Sequence, residues 1–124
     1  MPEAYLALVT ALKALTQVSG TTSEPDKGLP VAEDEWSPRP EVDSYGIIKL
    51  DFEADSLDGD NVKHIRSYEG TIDLYSLKRR GDGWIPLIEQ LLTEHCECSW
   101  RLDYHTYETE TREYRWEWVF QVEG

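Results

Sequence analysis

The chain has 124 residues, 40% of them hydrophobic, and its 25 acidic and 12 basic side chains give a formal net charge of −13. This length and apolar content favour one folded domain over a disordered chain, and the acidic excess disfavours sequence-specific nucleic-acid binding, since that affinity depends on Lys and Arg contacts to phosphate. The two cysteines, Cys96 and Cys98, are too few and too close for a disulfide framework.

The first predicted element is an amphipathic helix over residues 3–18, with Pro2 at its start and Gly20 beyond its end. Its apolar stripe has the spacing of one helix face. The stripe comprises Tyr5, Leu8, Val9, Leu12 and Leu15. The start of the chain lacks the basic region of a signal peptide, and no apolar run approaches the roughly 20 residues of a membrane span. We therefore expect a protein made in the cytosol, with neither a signal peptide nor a transmembrane segment.

A region rich in Gly and Pro follows the helix. Because a long structureless loop is unusual in a compact domain, we divide it into a mobile arm over 20–28, a short edge strand near Val31–Trp36 and an extended linker through Pro38 and Pro40.

Two long strands come next. The stretch "YGIIKLDFEADSL" alternates apolar and polar residues, "DGDN" provides a turn, and the return strand runs through "HIRSYEGTIDLYSL". Gly70 in the return strand indicates a bulge or a close backbone approach.

The second helix is predicted over "GDGWIPLIEQLLTEHC", and the chain then forms a hairpin over "SWRLDYHTYETETREYRWEWVFQVE". Tyr114, Trp116, Trp118 and Phe120 alternate along the last strand, so they either line a binding site or cover the helices as one wall of the core. We expect the core, with Trp116 and Trp118 both buried. The whole chain, 1–124, is predicted to be a single α+β domain. Its expected architecture is a two-layer sandwich, with an antiparallel sheet of about four or five strands and two helices on one face, in the order α-β-β-β-α-β-β.

The metal-like sequence "HCEC" spans His95 to Cys98. Structural zinc usually needs a second ligand pair, and none is present, so we expect no metal here. Instead, His95 should complement the helix dipole and the cysteines should pack as small hydrophobic side chains. The acidic stretch "DFEADSLDGDN" departs from the spacing of a calcium loop, which favours a solvated strand face and hairpin that could also serve as an electrostatic contact or a repulsive wall.

Carboxylates also occur at Glu108, Glu110, Glu113 and Glu117. A glycosidase needs two carboxylates across a cleft with one of them desolvated, whereas these are expected in a turn and on an outward face. No nucleophile elbow, phosphate loop or dinucleotide fingerprint is present. We therefore expect no enzyme, no catalytic residues and no cofactor.

The order of elements, from "LVTALKAL" through "LPVAEDEW" and "WIPLIEQLL" to "RWEWVFQV", resembles the tail-terminator (tail-completion) proteins of long-tailed bacteriophages and prophages, and related neck proteins. The resemblance implies a structural subunit that forms a ring, joins the tail tube to the head, and is found in the host cytoplasm during assembly and then in the virion. It implies contacts with other tail or neck proteins and DNA passing through a lumen without sequence-specific binding.

The resemblance also indicates where subunits would meet, at the predicted edge strand and the acidic hairpin. The expected interface residues are Val31, Glu33, Glu35, Trp36, Asp55, Asp58 and Asp60. A small acidic adaptor or inhibitor that binds one protein through its acidic face is the alternative, and an uncharacterised enzyme is a third.

Overall fold

Seven strands and two helices form the part of the chain described by this computed structural model, residues 3–17, 27–33, 42–54 and 67–123. The helices are α1 (Glu3–Lys13) and α2 (Trp84–Cys96), the second preceded by a short 3-10 turn, Gly81–Gly83. The strands are β1 (Thr16–Gln17), β2 (Lys27–Gly28), β3 (Val31–Glu33), β4 (Ser44–Ala54), β5 (Ser67–Ser76), β6 (Trp100–Glu108) and β7 (Glu113–Glu123).

Five strands form one sheet in the order β3-β4-β5-β7-β6, with α1 and α2 packed on one face. The predicted α+β sandwich is confirmed, but the sheet is mixed because β3 runs parallel to β4, pairing Val31 with Gly46 and Glu33 with Ile48. The expectation of a wholly antiparallel sheet is therefore wrong at this edge. Residues 34–43 separate the two strands, and this separation is longer than a hairpin loop, as parallel pairing requires.

The first helix is shorter than its apolar stripe predicts, because it ends at Lys13 and the chain turns into β1. Backbone pairing of β1 with β2 forms a small separate sheet, and the Gln17 side-chain amide donates to the Asp82 carbonyl over 2.8 Å. These tertiary contacts hold residues 16–17 in extended form, whereas the sequence predicted helix. The predicted mobile arm ends in strand β2, and its remaining residues, 20–26, lie outside the described part.

The aromatic residues of β7 form one wall of the core, as predicted. Trp116 is 5% exposed, while Trp118 and Phe120 are fully buried. They lie against apolar side chains of both helices. The Trp118 indole Nε1 donates to Glu89 Oε2 of α2 over 2.9 Å, which satisfies a polar group that would otherwise be buried without a partner. Within the described residues, neither helix is long and apolar enough to cross a membrane.

Gly70 of β5 lies close to the backbone of β4 and to the ring of Phe120. A Cβ at this position would lie 2.4 Å from the Lys49 carbonyl oxygen and 2.6 Å from Phe120 Cζ. The pairing of β4 with β5 also shifts by one residue between Leu50 and Phe52, next to this glycine. The close approach predicted from the sequence is therefore confirmed, and the irregularity lies on the neighbouring strand.

Replacing Trp118 with Ala should lower the free energy of unfolding by about 3–5 kcal/mol, because it leaves a large cavity and removes the hydrogen bond to Glu89. Urea unfolding followed by circular dichroism measures the change. Leu6→Ala is the control, since Leu6 is 47% exposed and its truncation should cost less than about 1 kcal/mol. A loss below that value for Trp118→Ala would contradict the placement of this ring in the core.

Gly70→Ala should destabilise the fold by roughly 1–3 kcal/mol, because the added methyl group meets backbone that moves only with the strand. Gly28→Ala is the matched control, since a Cβ there has no atom within 4 Å. Equal unfolding midpoints for the two variants would show that β4 and β5 tolerate the insertion.

Candidate functional site

The residues predicted for a subunit interface are only partly within the described structure. Val31 and Glu33 lie on β3, which forms one edge of the sheet. Val31 packs partly buried against the core, and exposed Glu33 forms an ion pair with Lys13 of α1. The other five residues lie outside the described part, so the interface stays a prediction. Those five are Glu35, Trp36, Asp55, Asp58 and Asp60.

A network of charged and aromatic side chains lies on the sheet face opposite the helices. Pairing of β5 with β7 places Asp73 opposite Glu117 and Tyr75 opposite Arg115. Pairing of β6 with β7 brings Glu108 to the same region. We call this network the Arg115 cluster, and it comprises Arg115, Asp73, Glu108, Glu117, Tyr75 and Tyr104.

Arg115 lies at the centre of the cluster. Its Nη2 donates to Glu117 Oε2 over 2.8 Å and to Asp73 Oδ1 over 3.3 Å, and its Nη1 lies 3.8 Å from Glu108 Oε1. The guanidinium carbon is 5.7 Å from the ring centre of Tyr75 and 5.6 Å from that of Tyr104, which is within the range of cation–π attraction. One cation is thus shared by three carboxylates and two aromatic rings.

The cluster changes the proton affinity of its buried acid. Burial, together with a hydrogen bond to the Glu117 carboxylate, raises the pKa of Asp73 to about 7, although Arg115 acts in the opposite direction. The largest cause is loss of hydration, since the Asp73 side chain is only 8% exposed. Burial likewise raises the pKa of Tyr75 to about 12. Near neutral pH, a substantial fraction of Asp73 is therefore protonated beside Arg115.

This arrangement corrects one expectation drawn from the sequence. The carboxylates of "YETETREYRWE" were expected on an outward face, yet Glu113 is 3% exposed and Glu117 is half-buried. Both belong to β7, which is an inner strand of the sheet, so neighbouring strands remove solvent from residues on either face. No sequence pattern marks Asp73, the acid whose pKa is raised, because its neighbours are defined only by strand register.

The end of α2 contains the His and Cys residues of "HCEC". Cys96 packs in the core, and burial raises the pKa of its thiol to about 11, which makes it a poor nucleophile. Cys98 is exposed in the turn after the helix, so the expectation that both cysteines pack inside is wrong for this one. In the described residues, no group of three or more His, Cys, Asp or Glu side chains could hold a metal ion.

Two open depressions lie near the connection from α2 to β6. One, of about 270 Å³, is lined by His95, Cys96, Ser99 and residues at the end of β7, and the other, of about 310 Å³, by Cys98, Trp100 and their neighbours. Neither is lined by a member of the Arg115 cluster. The Arg115 cluster and these two depressions are therefore at different places.

Comparison with known proteins assigns no family to the chain. No protein-family model matches the sequence, and no curated protein matches it significantly. Function must therefore be argued from the geometry and from the order of the elements.

Asp73→Asn should remove a pH dependence of stability. Folded Asp73, with its pKa raised to about 7, keeps a proton that the unfolded chain loses near pH 4. Asp73 therefore adds to the free energy of unfolding, by a few kcal/mol for a pKa shift of this size. This contribution is complete below pH 4 and is lost as the pH rises to 7. The unfolding free energy of wild type, relative to that of Asp73→Asn, should therefore fall from pH 4 to pH 7 and then stay constant.

Glu110→Gln is the control for this series, because Glu110 is an exposed residue of the turn between β6 and β7. Its difference from wild type should stay nearly constant over the same pH range. A carboxyl carbon titration by NMR that places the Asp73 pKa below 5 would contradict the raised pKa of this residue.

Proposed function

We propose that this chain is a structural assembly protein of the phage tail-terminator or neck type, whose copies form a ring that joins the tail tube to the head. The observation that carries the proposal is the order of elements. These elements form a two-layer domain with both helices on one face of a five-stranded sheet. The sequence predicts a similar order, and that order carries the resemblance to the tail-terminator family.

One edge of the sheet supports the proposal, since a ring requires unlike surfaces on each subunit that meet head to tail. That edge is the three-residue strand β3, and the predicted acidic hairpin around Asp55, Asp58 and Asp60 would form the other surface. Exposed Glu33 on β3 is already neutralised by Lys13, so a neighbouring copy would meet an ion pair at this point rather than a lone carboxylate.

The charge of the chain is consistent with a lumen through which DNA slides. At −13 per copy, a ring would repel phosphate, and its subunits would also repel one another at low ionic strength. Assembly should therefore need either screening by salt or a template that presents several binding sites together.

The adaptor alternative is favoured by one observation, the Arg115 cluster. Three carboxylates around one guanidinium leave excess negative charge at a half-buried location, which suits contact with a basic partner. Genes for capsid, portal and tail-tube proteins on either side of the coding sequence would favour the phage proposal over this alternative.

Purified protein should be monomeric or weakly associated in dilute buffer and should form larger species at high salt or with the tail-tube protein encoded beside it. Light scattering across a salt series measures the first effect, and scattering after mixing with the tail-tube protein measures the second. Screening reduces repulsion between like-charged copies, which explains the expected direction.

Charge reversal of Asp55, Asp58 and Asp60 to Lys should alter this assembly if the hairpin forms a subunit contact. The matched control reverses three exposed acids elsewhere, Glu3, Glu94 and Glu110, and changes the net charge equally. Absence of assembly under every condition, together with no effect of the hairpin variant, would contradict the tail-terminator proposal and leave the adaptor.

A further inference from the structure

Strand β6 is the long outer edge of the sheet. In the part of the chain that the structure describes, β6 pairs only with β7, so its other edge presents backbone N–H and C=O groups along nine residues. Three of its apolar side chains are unusually exposed, namely Leu102 at 45%, Tyr104 at 48% and Tyr107 at 45%. An exposed edge of this kind is a template for pairing with another strand.

A bulge at Asp103 determines which side chains share a face. Leu102 pairs with Trp118 and Tyr104 pairs with Glu117, so one residue is skipped between them. As a result, Leu102 and Tyr107 project on the helix side, since their partners Trp118 and Tyr114 are an even number of residues apart. By the same argument, Arg101 and Glu108 both project on the opposite side.

Two side chains of β6 are held in place by rings of β7. His105 stacks on Trp116 with ring centres 4.6 Å apart, and its Nδ1 lies 3.0 Å from the Arg115 carbonyl oxygen. Tyr107 contacts Tyr114, with ring centres 4.7 Å apart. Because these contacts fix the side chains before any partner arrives, less conformational entropy is lost on association.

We propose that two copies of the chain pair antiparallel through β6, about a two-fold axis at His105, to form one continuous sheet. In this register His105 lies opposite His105 of the second copy, and Tyr104 lies opposite Thr106. The bulge at Asp103, present in both strands, then places Leu102 opposite Tyr107 and Arg101 opposite Glu108.

The register is self-complementary in charge and in polarity. Arg101 meets Glu108 at both ends of the paired strands, and Leu102 covers Tyr107 at two symmetric places, so opposite charges and apolar groups are matched twice. Every facing pair also projects on the same side of the sheet. Without the bulge, Arg101 and Glu108 would lie on opposite faces and could not pair, because side chains alternate along a strand.

A second copy suits this edge despite the acidic chain. The strand carries Arg101, Asp103 and Glu108 as its charged residues, a local balance of −1 with His105 neutral, against −13 for the chain. Repulsion between copies therefore comes mainly from outside β6 and is screened at physiological salt, where the Debye length is about 8 Å. This pairing is separate from the β3 edge and the hairpin used in the proposed ring.

Sedimentation equilibrium at about 0.15 M salt, chosen for this screening, tests the proposal. Wild type should show a concentration-dependent monomer–dimer equilibrium. Arg101→Glu and Glu108→Arg should each weaken the dimer by roughly tenfold, since each places two pairs of like charges opposite one another. The double variant restores opposite charges and should recover most of the wild-type affinity.

Arg79→Glu is the matched control for Arg101→Glu, because it makes the same change in net charge at an exposed residue outside β6 and should leave the dimer unchanged. Circular dichroism and thermal melting confirm that each variant folds. Amide exchange of residues 104–106 in wild type should slow as the dimer forms.

Two results would overturn self-pairing. One is a wild type that stays monomeric up to about 1 mM, which would leave the edge to strand addition by a different protein. The other is a dimer that both single variants leave intact. If larger species do not form at high salt but the dimer is present, only the ring proposal is contradicted. The two proposals therefore fail separately.

Discussion

The position of β7 between β5 and β6 is the constraint on which the rest of the structure depends. This strand is paired on both edges. The side chains of one face are buried under the helices, and those of the other face are partly covered by side chains of the neighbouring strands. Trp118 and Phe120 occupy the first face, and burial of each large apolar side chain contributes roughly 1.5–3 kcal/mol. Arg115 and Glu117 occupy the second face, where Arg115 pairs with Glu117, Asp73 and Glu108.

The contact between Trp118 and Glu89 connects the two layers. An indole N–H buried in a core needs an acceptor, and Glu89 of α2 provides one at 2.9 Å. This bond fixes how α2 is rotated against the sheet, since a turn of the helix about its axis would remove Glu89 and also displace Ile88 and Leu92 from the core. Packing alone would leave more freedom for the helix to shift.

Elements with a strong period could be predicted from the sequence, and those defined by distant partners could not. Alternation along residues 114–120 located the core strand, and the stripe of α1 located its helix. The parallel pairing of β3 could not be predicted, because the direction of an edge strand depends on the path of the chain between strands. The sequence predicts Gln17 in a helix. Its contact with Asp82 could not be predicted, because the two residues are 65 positions apart in the sequence.

The candidate site follows the same division. Gly70 signalled its close approach, since only glycine lacks the Cβ that would meet Lys49 and Phe120. The Arg115 cluster had no such signal. Asp73 and Glu117 become neighbours only through the β5–β7 register, and Glu108 joins them only through the β6–β7 register. A shift of either register by one residue would send these side chains to opposite faces and dissolve the cluster.

The bulge at Asp103 shows how one irregularity can set the specificity of an exposed edge. Bulges usually discourage strand addition, because a regular strand cannot follow the displaced residue. A partner that carries the same bulge at the symmetric place does not meet this obstacle, and a second copy of β6 is such a partner. The feature that discourages pairing with unrelated strands is thus the one that brings Arg101 opposite Glu108 and Leu102 opposite Tyr107 in a pair of identical copies. For an acidic chain with a long exposed edge, such selectivity keeps association confined to one geometry.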